Sequence, residues 1–169
     1  ALEINHWCAG EVMYQGTDMR TGSALEIYRS GVGRCGEEAV FVVNVMRSAG
    51  IPARPVYVPR WSHCDNNHAW VEVWCDGDWH YLGACEPEAV LDKGWFTNAA
   101  SRAMMIGSRW YDRAMPDEKV IGKDGMNRII NLLGKYAKTR WITITVEDLD
   151  GTPAAGAKVR AEVMNYGEF

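Results

Sequence analysis

A chain of 169 residues, 47% hydrophobic and 24% charged, is long enough for one globular domain with a sizeable core, or one domain plus part of another. Its 18 Lys and Arg are scattered among 22 Asp and Glu for a net charge of -4, which argues against an electrostatic nucleic-acid binder and a polybasic membrane anchor. The longest nearly apolar run, Ala39 to Met46, is broken by Asn44 and falls far short of the roughly 20 residues that cross a bilayer, so no membrane insertion is expected.

Five cysteines (Cys8, Cys35, Cys64, Cys75, Cys85), an odd number with no Cys-x-x-Cys, leave at least one thiol unpaired and suit neither a dense disulfide framework nor a zinc ribbon. His63, Cys64, His68 and Cys75 match no familiar zinc spacing, and neither a metal nor another cofactor is expected. The chain opens on Ala1 with no charged segment and apolar run behind it, so any targeting signal lies outside it.

In chain order, Ile4, Trp7, Cys8 and Val12 recur at helical spacing and predict an opening helix that stops before the Gly16 to Thr21 loop. Ser23 and Glu26 form a Ser-x-x-Glu capping box, so a short helix is expected from Ala24, followed by a loop at Ser30-Gly31-Val32-Gly33. Gly36 to Ala49 is apolar on nearly every side and ends at Gly50 and Pro52, which predicts a central buried helix. A strand is expected over Ala53 to Val58, and a polar loop from Ser62 to Asn67 leads into a second strand from His68 to Trp74. Asp76-Gly77 then turns the chain into a return strand, Trp79 to Leu82. Beyond residue 92 the pattern is less regular, with a helix expected over Met126 to Tyr136. Arg140 to Val146 and Ala157 to Val163 alternate around the Asp150 to Pro153 turn and are expected to pair as a β-hairpin.

Chemistry concentrates in two places. Cys35, between Gly33-Arg34 and Gly36, sits at the expected start of the buried helix, where the macrodipole and free backbone N–H groups favour a thiolate. Most free cysteines are inert core residues, but glycines around this one permit close approach of a ligand. His68 opens a strand 33 residues later and is placed to act on Cys35 as general base and acid. Tyr57, Arg60 and Trp61 precede the histidine loop and are expected to line a substrate groove.

Three ordered blocks carry a family resemblance: Arg34-Cys35-Gly36-Glu37, then Ala49-Gly50-Ile51-Pro52-Ala53-Arg54, then His68-Ala69-Trp70-Val71-Glu72-Val73 with Asp76-Gly77-x-Trp79. They resemble the core of the transglutaminase-like superfamily. That resemblance implies an α+β, cysteine-proteinase-type fold, a helix packed on an antiparallel sheet, carrying a Cys, His and Asp triad. The segment Trp79 to Glu86 with Gly94-Trp95 is similar to cytosolic peptide:N-glycanases and their bacterial relatives. On this reading residues 1–138 form the catalytic core, and 139–169 are a β-hairpin that begins a further, truncated β-rich module.

The family's third residue is expected where Gly83 stands, and glycine cannot orient an imidazole. Glu86, three residues on, is the favoured substitute; a backbone carbonyl or Asp65 is an alternative, and so is a degraded site. In the glycanase-like segment Glu86 is also a candidate for substrate binding. The oxyanion needs donors. The Cys35 backbone N–H is one, and the resemblance offers Trp7 as another, although a core role for Trp7 is the commoner outcome for such a residue.

The implied function is thiol-dependent cleavage or transfer at an amide bond, hydrolysis ahead of cross-linking, on a protein, peptide or glycopeptide. The alternatives are a catalytically impaired module that binds peptides or glycopeptides and, on the trailing hairpin alone, a structural spacer. An exported or cell-surface location in a bacterium is compatible with the resemblance, while the residues themselves settle neither location nor oligomeric state.

Overall fold

The computed structural model describes residues 1–16, 21–111, 119–160, 162–163 and 167–168. In order these form α1 (Leu2–Glu11), β1 (Met13–Tyr14), α2 (Ala24–Ser30), β2 (Val32–Gly33), α3 (Cys35–Ser48), β3 (Ala53–Val58), β4 (His68–Cys75) and β5 (Asp78–Leu82). There follow α4 (Thr97–Ala100), β6 (Gly107–Tyr111), β7 (Lys119–Asp124), β8 (Asn127–Asn131), α5 (Leu133–Tyr136), β9 (Glu162–Val163) and β10 (Gly167–Glu168). A six-stranded antiparallel sheet in the order β5-β4-β3-β6-β8-β7 carries helices against it, an α+β fold.

Local chemistry explains the first half. The Ser23 hydroxyl accepts from the Glu26 N–H at 3.3 Å while Glu26 accepts from the Ser23 N–H at 2.7 Å, so both ends of the capping box start α2. Gly31, at φ 68°, ends that helix in the left-handed conformation that a Cβ disfavours. The expected loop after it also contains β2, which pairs in parallel with β1. At the start of α3 the Glu37 carboxylate accepts from the Arg34 N–H at 2.8 Å, and Gly50 at φ 80° closes the far end, its N–H bonded to the Arg47 carbonyl. Asp76 and Gly77, both at positive φ, make the β4–β5 turn.

Period-two alternation splits the sheet into two faces. Ala53, Ala69, Val71, Val73 and Leu82 pack with Val42, Val43 and Met46 of α3 and with Cys8 and Val12 of the α1 segment. Val56, Val58, Trp70, Tyr81, Ile106 and Ile130 form the opposite core under Phe96 and Trp61. Complete burial of a side chain such as Val42, Met46 or Val71 stabilises by about 1.5–3 kcal/mol relative to exposure. The second core holds a buried ion pair, Arg54 Nε to Glu72 Oε2 at 2.6 Å. Tyr136 donates to Glu72 Oε1 at 2.6 Å and accepts from the Trp70 indole at 2.9 Å, so the carboxylate is satisfied on both oxygens. Burial and the Glu72 charge together hold the Tyr136 phenol well above its ordinary pKa, in the protonated form that donates.

Two expectations are corrected. Residues 126–136 are not one helix: Asn127–Asn131 is strand β8, between β6 and β7, and only Leu133–Tyr136 is helical. Gly125-Met126, with Gly125 at φ 57°, is a hairpin turn, and pairing on both sides outweighs the local preference. Residues 140–146 carry no strand. The Asp150-Gly151 turn forms and Glu147 bridges Pro153, but no ladder extends from it, and Trp141, Ile142 and Ile144 are exposed. Among the described residues no helix is long and apolar enough to cross a membrane.

Candidate active site

Cys35 is the first residue of α3, so its backbone N–H belongs to the first helical turn, where an α-helix provides no internal acceptor. A Cβ placed on Gly36 would meet nothing within 4 Å, which leaves the approach beside the thiol open. The sheet brings His68 to the same end of the molecule: it is the first residue of β4, opposite Val58, the last residue of β3. The imidazole is buried in a ring of aromatics, with centroids 4.6 Å from Trp95, 5.0 Å from Phe96 and 5.9 Å from Trp70.

Glu86 stands on the other side of the imidazole, its Oε2 3.7 Å from His68 Nε2. Both atoms are buried and make no hydrogen bond within the protein, so each is turned toward the other across a gap slightly too long for a formed bond. Such contacts are often long in unliganded enzymes and tighten with substrate. Cys35 is the second polar neighbour of the ring. Burial acts to lower the His68 pKa; the polar contacts and negative charge of Cys35 and Glu86 outweigh it and raise the value to about 9. These contacts favour the charged form of the imidazole.

The position of Glu86 depends on the absence of a side chain at 83. A Cβ on Gly83 would lie 2.3 Å from Glu86 Oε2 and 2.8 Å from its Cβ. The Glu86 carboxylate therefore folds back into the volume that a residue-83 side chain would fill, across a tight turn in which Gly83 bridges Glu86 and Cys85 sits at φ 56°. Three residues to which the sequence reading gave no role in the site surround this turn. Asn5, buried in α1, donates to the Gly83 carbonyl at 2.9 Å and accepts from the Cys85 N–H at 3.1 Å. The Trp95 indole donates to Glu86 Oε1 at 2.9 Å. Glu38, one turn along α3 from Cys35, is buried; burial and the nearby Glu86 charge push its pKa up to about 8, against a lowering by His68. The contacts of Asn5 span 78 and 80 residues and leave no local signal.

The other expected site residues divide. Tyr57 is half exposed, and burial followed by the charge of Cys35 raises its phenol pKa, which puts it on the thiol side of β3. Arg60 reaches Asp65 at 3.7 Å, and Asp65 is largely exposed in that pair. Trp61 corrects the expectation of a groove-lining residue: it is 2% exposed and parallel to Trp70 at 6.4 Å, a wall beneath the imidazole with no face for substrate. Trp7 packs on Tyr28 and Phe41. Phe41 lies six residues into the helix from Cys35, about 9 Å along its axis. All five thiols are free, and among the described residues no three of His, Cys, Asp and Glu gather as a metal site would.

These protonation states set a pH dependence of stability. His68 and Glu38 are both raised in the fold, so each stabilises it in its protonated form. The Glu38 contribution is fully present below its ordinary value of 4.5 and is lost as pH rises through about 8; that of His68 is full below 6.5 and is lost through about 9. Thermal denaturation followed from pH 5 to 9.5 is expected to show Tm falling by about 5–10 °C. Glu38→Gln is expected to flatten the lower part of that fall; a Tm that rises across this range contradicts both assignments.

A structure of a cysteine protease candidate from Cytophaga hutchinsonii is similar to this chain at 19% identity with a TM-score of 0.44, over 77% of this chain and 50% of that one. The chain spans about half the length of that protein, and no curated protein matches it. The family model of the transglutaminase-like superfamily matches residues 1–84, from α1 through the end of β5 and therefore both Cys35 and His68. Over residues 1–84 the chain belongs to the transglutaminase-like superfamily.

Proposed function

We propose that this protein is a thiol-dependent amide-bond hydrolase or acyl-transferase acting on a protein, peptide or glycopeptide. The observation that carries this reading is His68 standing between Cys35 at a helix start and the Glu86 carboxylate. His68 takes the thiol proton as Cys35 Sγ attacks the carbonyl carbon, and the oxyanion is met by the Cys35 backbone N–H. As the C–N bond breaks, the His68 imidazolium gives its proton to the leaving amine, producing a thioester. Neutral His68 then takes a proton from water or from an acceptor amine, which attacks the thioester, forms the acid or a new amide, and frees the thiol. Hydrolysis and transfer differ only in that acceptor. Glu86 orients the imidazole and offsets its charge, and half-exposed Tyr57 lines the approach.

A second reading, a catalytically impaired module that binds peptides or glycopeptides, draws on Gly83 at the acid position and on the 3.7 Å gap between His68 and Glu86. Iodoacetamide labelling at neutral pH, read by peptide mass spectrometry, separates the two. Cys35 is expected to react at least about tenfold faster than the other four thiols. Cys8 is a slow internal standard, its pKa pushed up to about 11 by burial and by Glu11, and Cys85 is another, raised by burial and Glu38. Peptide and glycopeptide amides are then expected to leave an acyl adduct on Cys35 in acid-quenched samples. Equal labelling of all accessible thiols, with no adduct, favours the binding module.

A further inference from the structure

Glu86 is the part of this site whose placement is least expected from the chain, and it is held by more than its own turn. We propose that Asn5 of α1 is a positioning residue acting through Glu86: it clamps the 83–86 turn so that the carboxylate stays in the space over Gly83, facing His68. The inference rests on the thiol-enzyme reading and deepens it.

Both ends of the buried Asn5 amide are used on that turn. Its Nδ2–H goes to the Gly83 carbonyl at 2.9 Å, and its Oδ1 takes the Cys85 N–H at 3.1 Å. A side chain that donates and accepts at once in this way is a carboxamide, and a carboxylate or an aliphatic residue cannot replace it. The turn needs the support because Cys85 holds φ 56°, a conformation that costs any residue with a Cβ free energy. The carboxylate has one further tether, the Trp95 indole on Oε1, so Oε2 is left with His68 as its neighbour. One turn after Asn5, Cys8 lies in the core with Ala84 of the same turn and with Val42 and Met46 of α3. The clamp therefore ties the turn bearing the acid to the core beneath the helix bearing the nucleophile.

The test is the titration of the His68 imidazole by NMR, assigned against His68→Ala, in the full chain. The titratable groups facing that ring are Cys35 and Glu38 from α3 and Glu86 from the turn; the rings of Trp61, Trp70, Trp95 and Phe96 complete its surroundings. Glu86→Gln is expected to lower the midpoint by about one pH unit or more, by removing the charge that favours the imidazolium. Asn5→Ala is expected to lower it in the same direction, and in the Glu86→Gln background to add nothing, while Tm falls by similar amounts in both backgrounds. Asn5→Ser, a milder replacement, serves if the Ala variant does not fold. A midpoint unmoved by either Asn5 variant, with Glu86→Gln still effective, overturns the role of Asn5 alone. A shift of equal size in both backgrounds also overturns it, because Asn5 then acts by another route. If Glu86→Gln leaves the midpoint where it was, Glu86 and the clamp fall together, whereas the failure of Cys35 to label selectively removes the enzyme reading itself.

Discussion

Replacing His68 with alanine is expected to lower turnover of an amide substrate by about 10²–10⁴-fold and to slow iodoacetamide labelling of Cys35 at neutral pH, with the fold retained. The imidazole performs both proton transfers, and the start of β4 brings it to Cys35. Retention of the fold is expected because His68 stands at the first position of β4 and Trp61, Trp70 and Phe96 remain to fill the core, so its loss leaves one small cavity at the strand end. Circular dichroism and Tm establish that the variant is folded, and mass spectrometry gives the labelling rate. If the rate at Cys35 is the same in wild type and His68→Ala, the thiol does not rely on the imidazole and the acid–base assignment fails.

The second large effect concerns the smallest residue of the site. Gly83→Ala adds one methyl group, yet that Cβ would lie 2.3 Å from Glu86 Oε2 and 2.8 Å from Glu86 Cβ. The turn has little room to yield, since Asn5 holds it at both Gly83 and Cys85 and Ala84 is buried. The side chain of Glu86 is the movable part, so it is expected to swing away from His68. The imidazole then loses its orienting partner, a lesion that costs about 10⁴ in the analogous serine system. A loss of about 10²–10⁴ in turnover is expected for Gly83→Ala, matched by Glu86→Gln. The double variant Gly83→Asp/Glu86→Gly is expected to recover part of it, because it clears the Glu86 Cβ and delivers a carboxylate into the same volume from position 83. Full activity in Gly83→Ala would show that the reaction runs on Cys35 and His68 without a third group.

The parts of this fold that were legible in the chain are those decided within a few residues. Ser23 and Glu26 satisfy each other's backbone, Gly50 and Pro52 stop the long helix, and Asp76-Gly77 turns the β4–β5 hairpin, all through contacts local in sequence. Residues 126–136 depart from the expected helix because Ile129 and Ile130 suit a helix or a strand alone, and only pairing with β6 and β7 decides between them. The stretches on either side of the Asp150 turn alternate as a hairpin should, but among the described residues the pairing between them is the single bridge of Glu147 to Pro153, and an unsupported two-stranded hairpin is marginal in water.

For the site, the chain by itself determined the thiol at a helix start and the histidine at a strand start, because helix capping and strand alternation place those two residues. It also marked Gly83 as an exception and Glu86 as a candidate partner. Tertiary structure alone decided that the missing side chain at 83 becomes the space for the Glu86 carboxylate, that Asn5 reaches across some 80 residues to hold it, and that Trp61 closes the core beneath the imidazole. The physical reason is one of range: a cap or a turn is satisfied by neighbours along the chain, whereas filled volume, burial and the charge that a buried group meets depend on which distant elements pack together.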